Sequence, residues 1–168
     1  MINYRDASPA DAAALAELGA TSFTQTFGHL YAPADLDLFL ANHSETAWRA
    51  ELDDERFAIR LAEDDGAAVG YAKLGPPQLP FTPRERAVEL RQLYVLAPWH
   101  GAGVAATLTD WVIAAARDLG AEALFLSVFT DNHRARRFYD RYGFEAVGTY
   151  AFMVGTQADE DIVMRLAL

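Results

Sequence analysis

A β-prone run that leads through a glycine loop into a helix constrains the fold of this chain most. The run Ala87–Val95 is rich in residues typical of strands and is stopped by Pro98. Gly101 and Gly103 follow, and apolar residues at helical spacing then extend to about Leu119. Such a junction leaves the first N–H groups of the helix without intrahelical partners, beside glycines that let a ligand approach the backbone. The segment therefore predicts a site for a phosphate or pyrophosphate at a helix N-terminus.

Two common phosphate motifs do not fit this loop. Residues 101–106 match the dinucleotide pattern G-x-G-x-x-A, but that pattern needs its first glycine directly after the strand of the first βαβ unit. Here Pro98 and Trp99 intervene, and only one further strand–helix unit follows. No Gly-Lys-Ser/Thr is present, which excludes a P-loop. A nucleotide-binding oxidoreductase is therefore a distant alternative.

The remaining segments predict helices and strands within a single domain covering 1–168. Ser8, Pro9 and Asp11 have the spacing of a helix start with a capping box. The order of elements indicates an α/β (α+β) fold with a mixed sheet. The predicted elements are that first helix, one or two helices within 34–55, hairpin strands at 57–63 and 67–74, strands at 87–95 and 123–129, helices to about 119 and over 133–142, and closing strands at 144–147, 150–154 and 162–168.

Composition restricts the partners and the compartment. The chain carries 14 basic and 24 acidic residues, for a formal net charge of −10. We expect no nucleic-acid partner, because neutralising phosphates requires a basic face. No apolar run reaches the ~20 residues of a membrane span, and neither a signal peptide nor a cysteine is present. We therefore expect a cytoplasmic protein that binds no membrane and has neither disulfides nor a metal site.

Charge is concentrated in two parts of the chain. Ten acids lie within 34–65, against three arginines. Four arginines lie within 134–141, and Arg134, Arg137 and Arg141 share one helix face. Solvated helix faces are the ordinary explanation for both. The alternative is a surface that attracts a cation and a separate site that binds an anion.

Two segments match short motifs of one enzyme family. Residues 100–105 follow the pattern Q/R-x-x-G-x-G/A, with His100 at the Gln/Arg position. A histidine there can still donate a hydrogen bond, but its positive charge depends on pH. Residues 132–144 follow N-x-x-A-x-x-F/L-Y-x-x-x-G-F. With the strand at 88–95, in this order and spacing, they resemble the GCN5-related N-acetyltransferase (GNAT) family.

The resemblance implies a mixed, mostly antiparallel central sheet flanked by helices, with a splayed strand pair that holds acetyl-CoA. It implies that acetyl-CoA is the cosubstrate and that its acetyl group moves directly to an amine, with no acetyl-enzyme. Residues 26–31 and 147–155 further resemble the bacterial PaiA-type polyamine N-acetyltransferases. Homodimers are common among relatives, but no segment of this chain specifies one.

The resemblance also assigns the cofactor site. The backbone of residues 93–95 is expected to pair with pantetheine, the N–H groups of residues 101–106 to bind the pyrophosphate, and Asn132 to bond the pantetheine arm. The helix face of Arg134, Arg137 and Arg141 suits either the adenosine 3′-phosphate or the acidic surface of the chain. The predicted cofactor-binding residues are Leu93, Tyr94, Val95, His100, Gly101, Ala102, Gly103, Val104, Ala105, Ala106, Asn132 and Arg141.

Tyr139 is the candidate general acid. The family motif places its phenol near the thioester sulfur, where it can give a proton to the departing thiolate. The spacing alone also fits simple packing, because Ala135, Tyr139 and Tyr142 lie at i, i+4 and i+7 of one helix.

Glu89 is the candidate general base. On a regular strand Glu89 shares one face with Arg91, Leu93 and Val95, which puts the carboxylate along the cofactor groove. It can take the amine proton directly or through water. The alternative is an ordinary strand acid paired with Arg91.

The acidic N-terminal half corresponds to the region where the family builds its acceptor site. An acidic field attracts cations, so we expect a small, polycationic amine such as spermidine or spermine as substrate. The alternatives are a peptide α-amine, an antibiotic or another small amine, and a non-catalytic acetyl-CoA-binding module. The presence of Glu89, Asn132 and Tyr139 disfavours the last of these.

Overall fold

The computed structural model describes residues 1–168 and contains a seven-stranded mixed sheet. Its strands are β1 (Ile2–Asp6), β2 (Ala58–Asp64), β3 (Ala67–Gly75), β4 (Ala87–Val95), β5 (Ala123–Phe129), β6 (Glu145–Val154) and β7 (Gln157–Ala167). They lie in the order β1-β2-β3-β4-β5-β7-β6, and every neighbouring pair is antiparallel except β4 and β5. The helices are α1 (Ala12–Phe27), α2 (Pro33–Ala41), α3 (Glu45–Leu52), α4 (Val104–Asp118) and α5 (His133–Tyr142).

Helices cover both faces of the sheet, which confirms the predicted fold class. The larger core lies between the sheet and the helices α4 and α5, and it includes Leu108, Val112 and Leu126. The opposite face packs against α1 and α3 through Leu15 and Trp48. The helical spacing of Leu108 and Val112 that predicts α4 thus reflects the buried side of that helix.

The two parallel strands separate soon after they meet, as the predicted splayed pair requires. β4 pairs with β5 only over Ala87–Glu89, opposite Ala123–Phe125. Beyond this point β4 stays paired with β3, and β5 stays paired with β7 as far as Phe129. The facing edges of β4 and β5 are therefore left without a strand partner along the rest of their length.

A bulge in β4 changes the faces predicted for its side chains. Arg91 has no partner in the pairing with β3, and such an extra residue reverses the inward–outward alternation beyond it. Leu90 packs in the α4–α5 core together with Leu93 and Val95. Glu89, next to Leu90, lies on the opposite face of the sheet. The expected common face of Glu89, Leu93 and Val95 is therefore wrong.

The C-terminal strands also differ from the sequence prediction. The sequence predicts two strands, at 144–147 and 150–154, where the structure has the single strand β6. A register shift between Ala146 and Gly148 leaves Val147 as a bulge, and the strand then continues. The sequence analysis does not predict β1, because a pattern of apolar and polar residues over only five positions is too short to identify a strand.

Candidate active site

A cavity of about 710 Å³ opens where β4 and β5 diverge. It runs from the starts of α4 and α5 to α1, α2 and the first half of β7. The predicted residue Ala102 does not line it, and its N–H donates to the Trp99 carbonyl oxygen at 3.3 Å. The predicted residues that do line it are Glu89, Leu93, Tyr94, Val95, His100, Gly101, Gly103, Val104, Ala105, Ala106, Asn132, Tyr139 and Arg141.

The edge of β4 offers backbone groups to this cavity. The Leu96 N–H donates to the Val69 carbonyl oxygen at 2.9 Å. In this register, the alternation of an antiparallel ladder turns the N–H and C=O groups of Leu93 and Val95 away from β3. The backbone of Tyr94 pairs with β3 instead, so Tyr94 reaches the cavity only with its side chain. An extended ligand can therefore add to this edge at Leu93 and Val95, but not at Tyr94.

Left-handed glycines shape the loop before α4. Gly101 and Gly103 have φ angles of +79° and +82°, which residues with side chains rarely adopt. The first helical hydrogen bond runs from the Thr107 N–H to the Gly103 carbonyl oxygen at 3.0 Å. The N–H groups of Gly101 and of residues 103–106 have no acceptor in the chain. Unpaired donors at the positive end of a helix fit a phosphate or pyrophosphate.

His100 acts as a neutral bridge in this structure. Its Nε2 lies 2.7 Å from the Val95 carbonyl oxygen, which accepts only from an N–H. Its Nδ1 then accepts from the Arg134 Nη1–H at 2.8 Å. The bridge holds Arg134 beside the cavity and occupies the Val95 carbonyl, so that Val95 offers a ligand only its N–H.

Helix α5 supplies an asparagine and two arginines. Asn132 caps the helix by accepting the Ala135 N–H at 3.3 Å, which leaves its amide NH₂ able to donate. Arg134 and Arg141 line the cavity, whereas Arg137 does not. The predicted helix face of three arginines therefore contributes two of them to the cavity.

Tyr139 presents an unbonded phenol to the cavity. Its ring packs against Phe138 and Phe144, and the residue is 8% exposed. Burial raises the pKa of Tyr139 above its ordinary value of 10, so the hydroxyl keeps its proton at neutral pH and can donate it. The Tyr142 hydroxyl, by contrast, donates to the Ala106 carbonyl oxygen at 3.1 Å and joins α5 to α4.

Glu89 is a buried carboxylate with a cationic neighbour. The residue is 5% exposed, and its Oε2 lies 3.0 Å from the Arg91 Nε. Burial raises the pKa of Glu89 to about 7, against the opposing effect of the Arg91 charge. A pKa near neutrality suits a group that takes and releases protons at physiological pH.

Sequence reasoning misses a second buried carboxylate, Asp161 on β7. It is 6% exposed and lines the cavity, and its Oδ1 has no hydrogen-bond partner. Burial, with a smaller effect from the charge of Asp159, raises the pKa of Asp161 to about 7. Asp159 itself accepts hydrogen bonds from the Tyr31 hydroxyl and the Gln157 amide. The available signal is the alternation of Asp159 and Asp161 with Val163, which puts both acids on one face of a partly buried strand.

The acidic run at 34–65 contributes only one acidic residue to the cavity. Glu51 is the only acid of this run that lines the cavity, and its carboxylate lies 2.6 Å from the Lys73 Nζ. The expectation that the run itself draws a cation into the site is therefore wrong. The uncompensated negative charge comes from Asp159 and Asp161, far along the sequence.

Comparison with known proteins decides the family. The sequence model that describes the acetyltransferase (GNAT) family matches residues 15–144 of this chain. An uncharacterized N-acetyltransferase of Mycobacterium tuberculosis (strain ATCC 25618 / H37Rv) is 39% identical over 155 residues, covering 92% of this chain and 96% of that protein. This chain belongs to the GNAT family.

Solved structures share the GNAT fold over nearly the whole chain. The PaiA N-acetyltransferase from Thermoplasma acidophilum, solved with coenzyme A, has a TM-score of 0.80 at 18% identity and covers 100% of this chain and 99% of its own. A Salmonella typhimurium protein solved with its cofactor acetyl-CoA has a TM-score of 0.69 at 23% identity, covering 99% and 94%. With its family established, this chain is an acetyl-CoA-dependent N-acetyltransferase.

Two further properties describe this GNAT protein. None of its helices combines the length and the apolar character needed to cross a membrane. No group of three or more histidine, cysteine, aspartate or glutamate side chains is arranged to hold a metal ion.

Substitution of Gly103 tests whether the loop before α4 binds the cofactor of this GNAT protein. We expect Gly103→Ala to cost about 1 kcal/mol of stability, because alanine is strained at positive φ. We also expect about tenfold weaker acetyl-CoA binding, because the unpaired N–H groups shift. Gly66→Ala is the matched control, since Gly66 also has φ of +82° with no atom within 4 Å of an added Cβ, but lies between β2 and β3. Calorimetric titration and urea unfolding separate the two effects, and equal affinity in both variants contradicts the assignment.

Asp161 should make the stability of the folded chain depend on pH. Its pKa rises from 3.8 to about 7 on folding. Between these pH values the carboxyl is therefore ionised in the unfolded chain and protonated in the folded chain. Stability therefore falls as pH rises through this window, compared with a variant that does not titrate. Across this window, the free energy of unfolding of Asp161→Asn should increase relative to that of the native chain by up to about 1.4 kcal/mol per pH unit. Above the window, the difference between the two should stay constant. A difference in urea unfolding that stays constant with pH would contradict the buried, proton-binding carboxyl.

Proposed function

We propose that this chain transfers the acetyl group of acetyl-CoA directly to a primary amine of a polyamine such as spermidine or spermine. The uneven distribution of charge in the cavity supports this most. Arg134 and Arg141 lie with the unpaired loop N–H groups at the end formed by α4 and α5. Asp159 and Asp161, at the end formed by α1 and β7, have no cationic partner. A cosubstrate with phosphates suits the first end, and a cationic amine suits the second.

The likeness to PaiA-type enzymes supports the same class of acceptor. The segments 26–31 and 147–155, which carry the sequence resemblance, contribute Tyr31, Tyr150 and Phe152 to the cavity lining. The Thermoplasma PaiA N-acetyltransferase shares the fold over the whole chain. The resemblance and the charges of the cavity thus favour a polyamine independently of each other.

The cofactor end would hold acetyl-CoA in an extended form along β4. Leu93 offers its N–H and C=O groups, and Val95 its N–H, to the amides of the pantetheine arm. The amide NH₂ of Asn132 can donate to the same arm. The unpaired N–H groups of the loop 101–106 suit the pyrophosphate, and Arg141 suits the 3′-phosphate.

Glu89 and Tyr139 would divide the proton transfers between them. Bound acetyl-CoA supplies the acetyl group, whose C–S bond breaks as the amine nitrogen bonds to the carbonyl carbon. Before this step, Glu89 takes one proton from the substrate ammonium through its carboxylate. Tyr139 gives its hydroxyl proton to the departing sulfur, and the second proton lost by the nitrogen replaces it.

Tyr139→Phe tests the general acid. We expect kcat to fall by about 100-fold, because the departing sulfur loses its proton donor. Acetyl-CoA affinity should stay within about twofold of the native value, because the ring that packs the helix is retained. Tyr142→Phe is the control, since its hydroxyl bonds only within the chain. Unchanged turnover in Tyr139→Phe would remove this residue from the mechanism.

The acceptor is tested by thiol release from acetyl-CoA with spermidine, spermine, putrescine, lysine peptides and aminoglycosides. We expect saturable turnover of the polyamines, with kcat/KM at least about tenfold above that of the other amines. High turnover confined to peptides or aminoglycosides would replace the polyamine by one of those acceptors. Acetyl-CoA binding without turnover of any amine in the panel would reject a polyamine as the acceptor.

A further inference from the structure

We propose that Asp161, supported by Asp159, binds a second ammonium group of the acceptor and so makes the enzyme select amines that carry at least two positive charges. The inference rests on the proposed function, because it places a polyamine in the same cavity. It adds that the two carboxylates have different roles. Glu89 takes the proton of the reacting amine, and Asp161 binds a distant ammonium group of the same substrate.

Asp161 is a carboxylate that lacks a partner in the free protein. It is 94% buried, it lines the cavity, and its Oδ1 accepts no hydrogen bond from the chain. Buried polar atoms in folded proteins are nearly always paired, and an unpaired buried charge is costly. The nearest charged group on the same face of the strand is Asp159, which has the same sign and cannot compensate it. A cation with N–H donors is the ligand that would satisfy both the charge and the hydrogen bond.

Asp161 and Glu89 lie too far apart to share one ammonium group. Both border β5, where Glu89 pairs with Phe125 and Asp161 pairs with Phe129. Four residues of strand span about 13 Å. Glu89 is moreover balanced by the Arg91 guanidinium at 3.0 Å, whereas Asp161 is not balanced. The cavity therefore presents two carboxylates in separate places, and a diamine or polyamine has two cations to match them.

The surroundings of Asp161 suit an alkyl chain that ends in an ammonium group. Phe129 and Tyr150 flank it directly on the neighbouring strands, and both line the cavity. The Tyr31 hydroxyl donates to Asp159 and fixes the second carboxylate beside it. Aromatic rings attract cations through their faces and contact methylene groups through their apolar surface. This combination favours a polyamine over a neutral amino acid or a compact monoamine.

The test compares spermidine with n-butylamine, which has one ammonium group, at pH 8, where the Asp161 carboxyl is ionised. We expect Asp161→Asn to raise the KM for spermidine about 10- to 100-fold, because a charged hydrogen bond is lost. Its kcat with spermidine, and its kcat/KM with n-butylamine, should remain within about twofold of native. The control is Glu160→Gln, which removes the same charge from the next, exposed residue.

A binding measurement supplies a readout that does not need turnover. With coenzyme A present, spermidine should raise the Tm of the native chain and of Glu160→Gln, but not that of Asp161→Asn. Equal losses of kcat with both amines in Asp161→Asn would place this residue at the reacting nitrogen and overturn the inference. The inference would also be overturned if Asp161→Asn kept the KM for spermidine and the spermidine-induced rise in Tm of the native chain. If the native chain neither acetylates spermidine nor is stabilised by it, the proposed polyamine function fails as well.

Discussion

The divergence of β4 from β5 after Glu89 and Phe125 is the constraint on which the rest of the site depends. Had the two strands stayed paired, the backbone groups of Leu93 and Val95 would have been used within the sheet. An open edge is a template for any extended partner with amide groups. The bulge at Arg91 acts in the same place and turns Glu89 toward the α1 face. The divergence thus opens the edge of β4, and the bulge decides the position of the carboxylate.

The unpaired state of Asp161 sets a balance between stability and binding. Its raised pKa means that the folded protein is less stable at neutral pH than it would be with a neutral residue there. Destabilising groups of this kind are typical of functional sites, where activity is favoured over stability. Arg134, held by His100, and the loop N–H groups place the opposite charge at the far end of the cavity. Each end therefore matches one of the two substrates that we propose.

Local signals were sufficient for many elements and insufficient for the faces of the sheet. The bounds of β4 and α5 agree with the sequence prediction, because their strand and helix patterns lie within the segments themselves. The bulge at Arg91 depends on pairing with β3, which no local pattern contains. The acidic run misled for a similar reason, since Glu51 is neutralised by Lys73 from another element. Asp161 escaped notice because Asp159, Glu160 and Asp161 together have the composition of a solvated segment.

The central claim is that one continuous cavity holds acetyl-CoA along β4 and a polyamine against β7. The most direct measurement is the calorimetric affinity of a conjugate in which spermidine is joined to the sulfur of coenzyme A through an acetyl bridge. If both halves bind together, the conjugate should bind at least about 100-fold more tightly than coenzyme A and than the corresponding n-butylamine conjugate. Equal affinities for the three compounds would contradict the account.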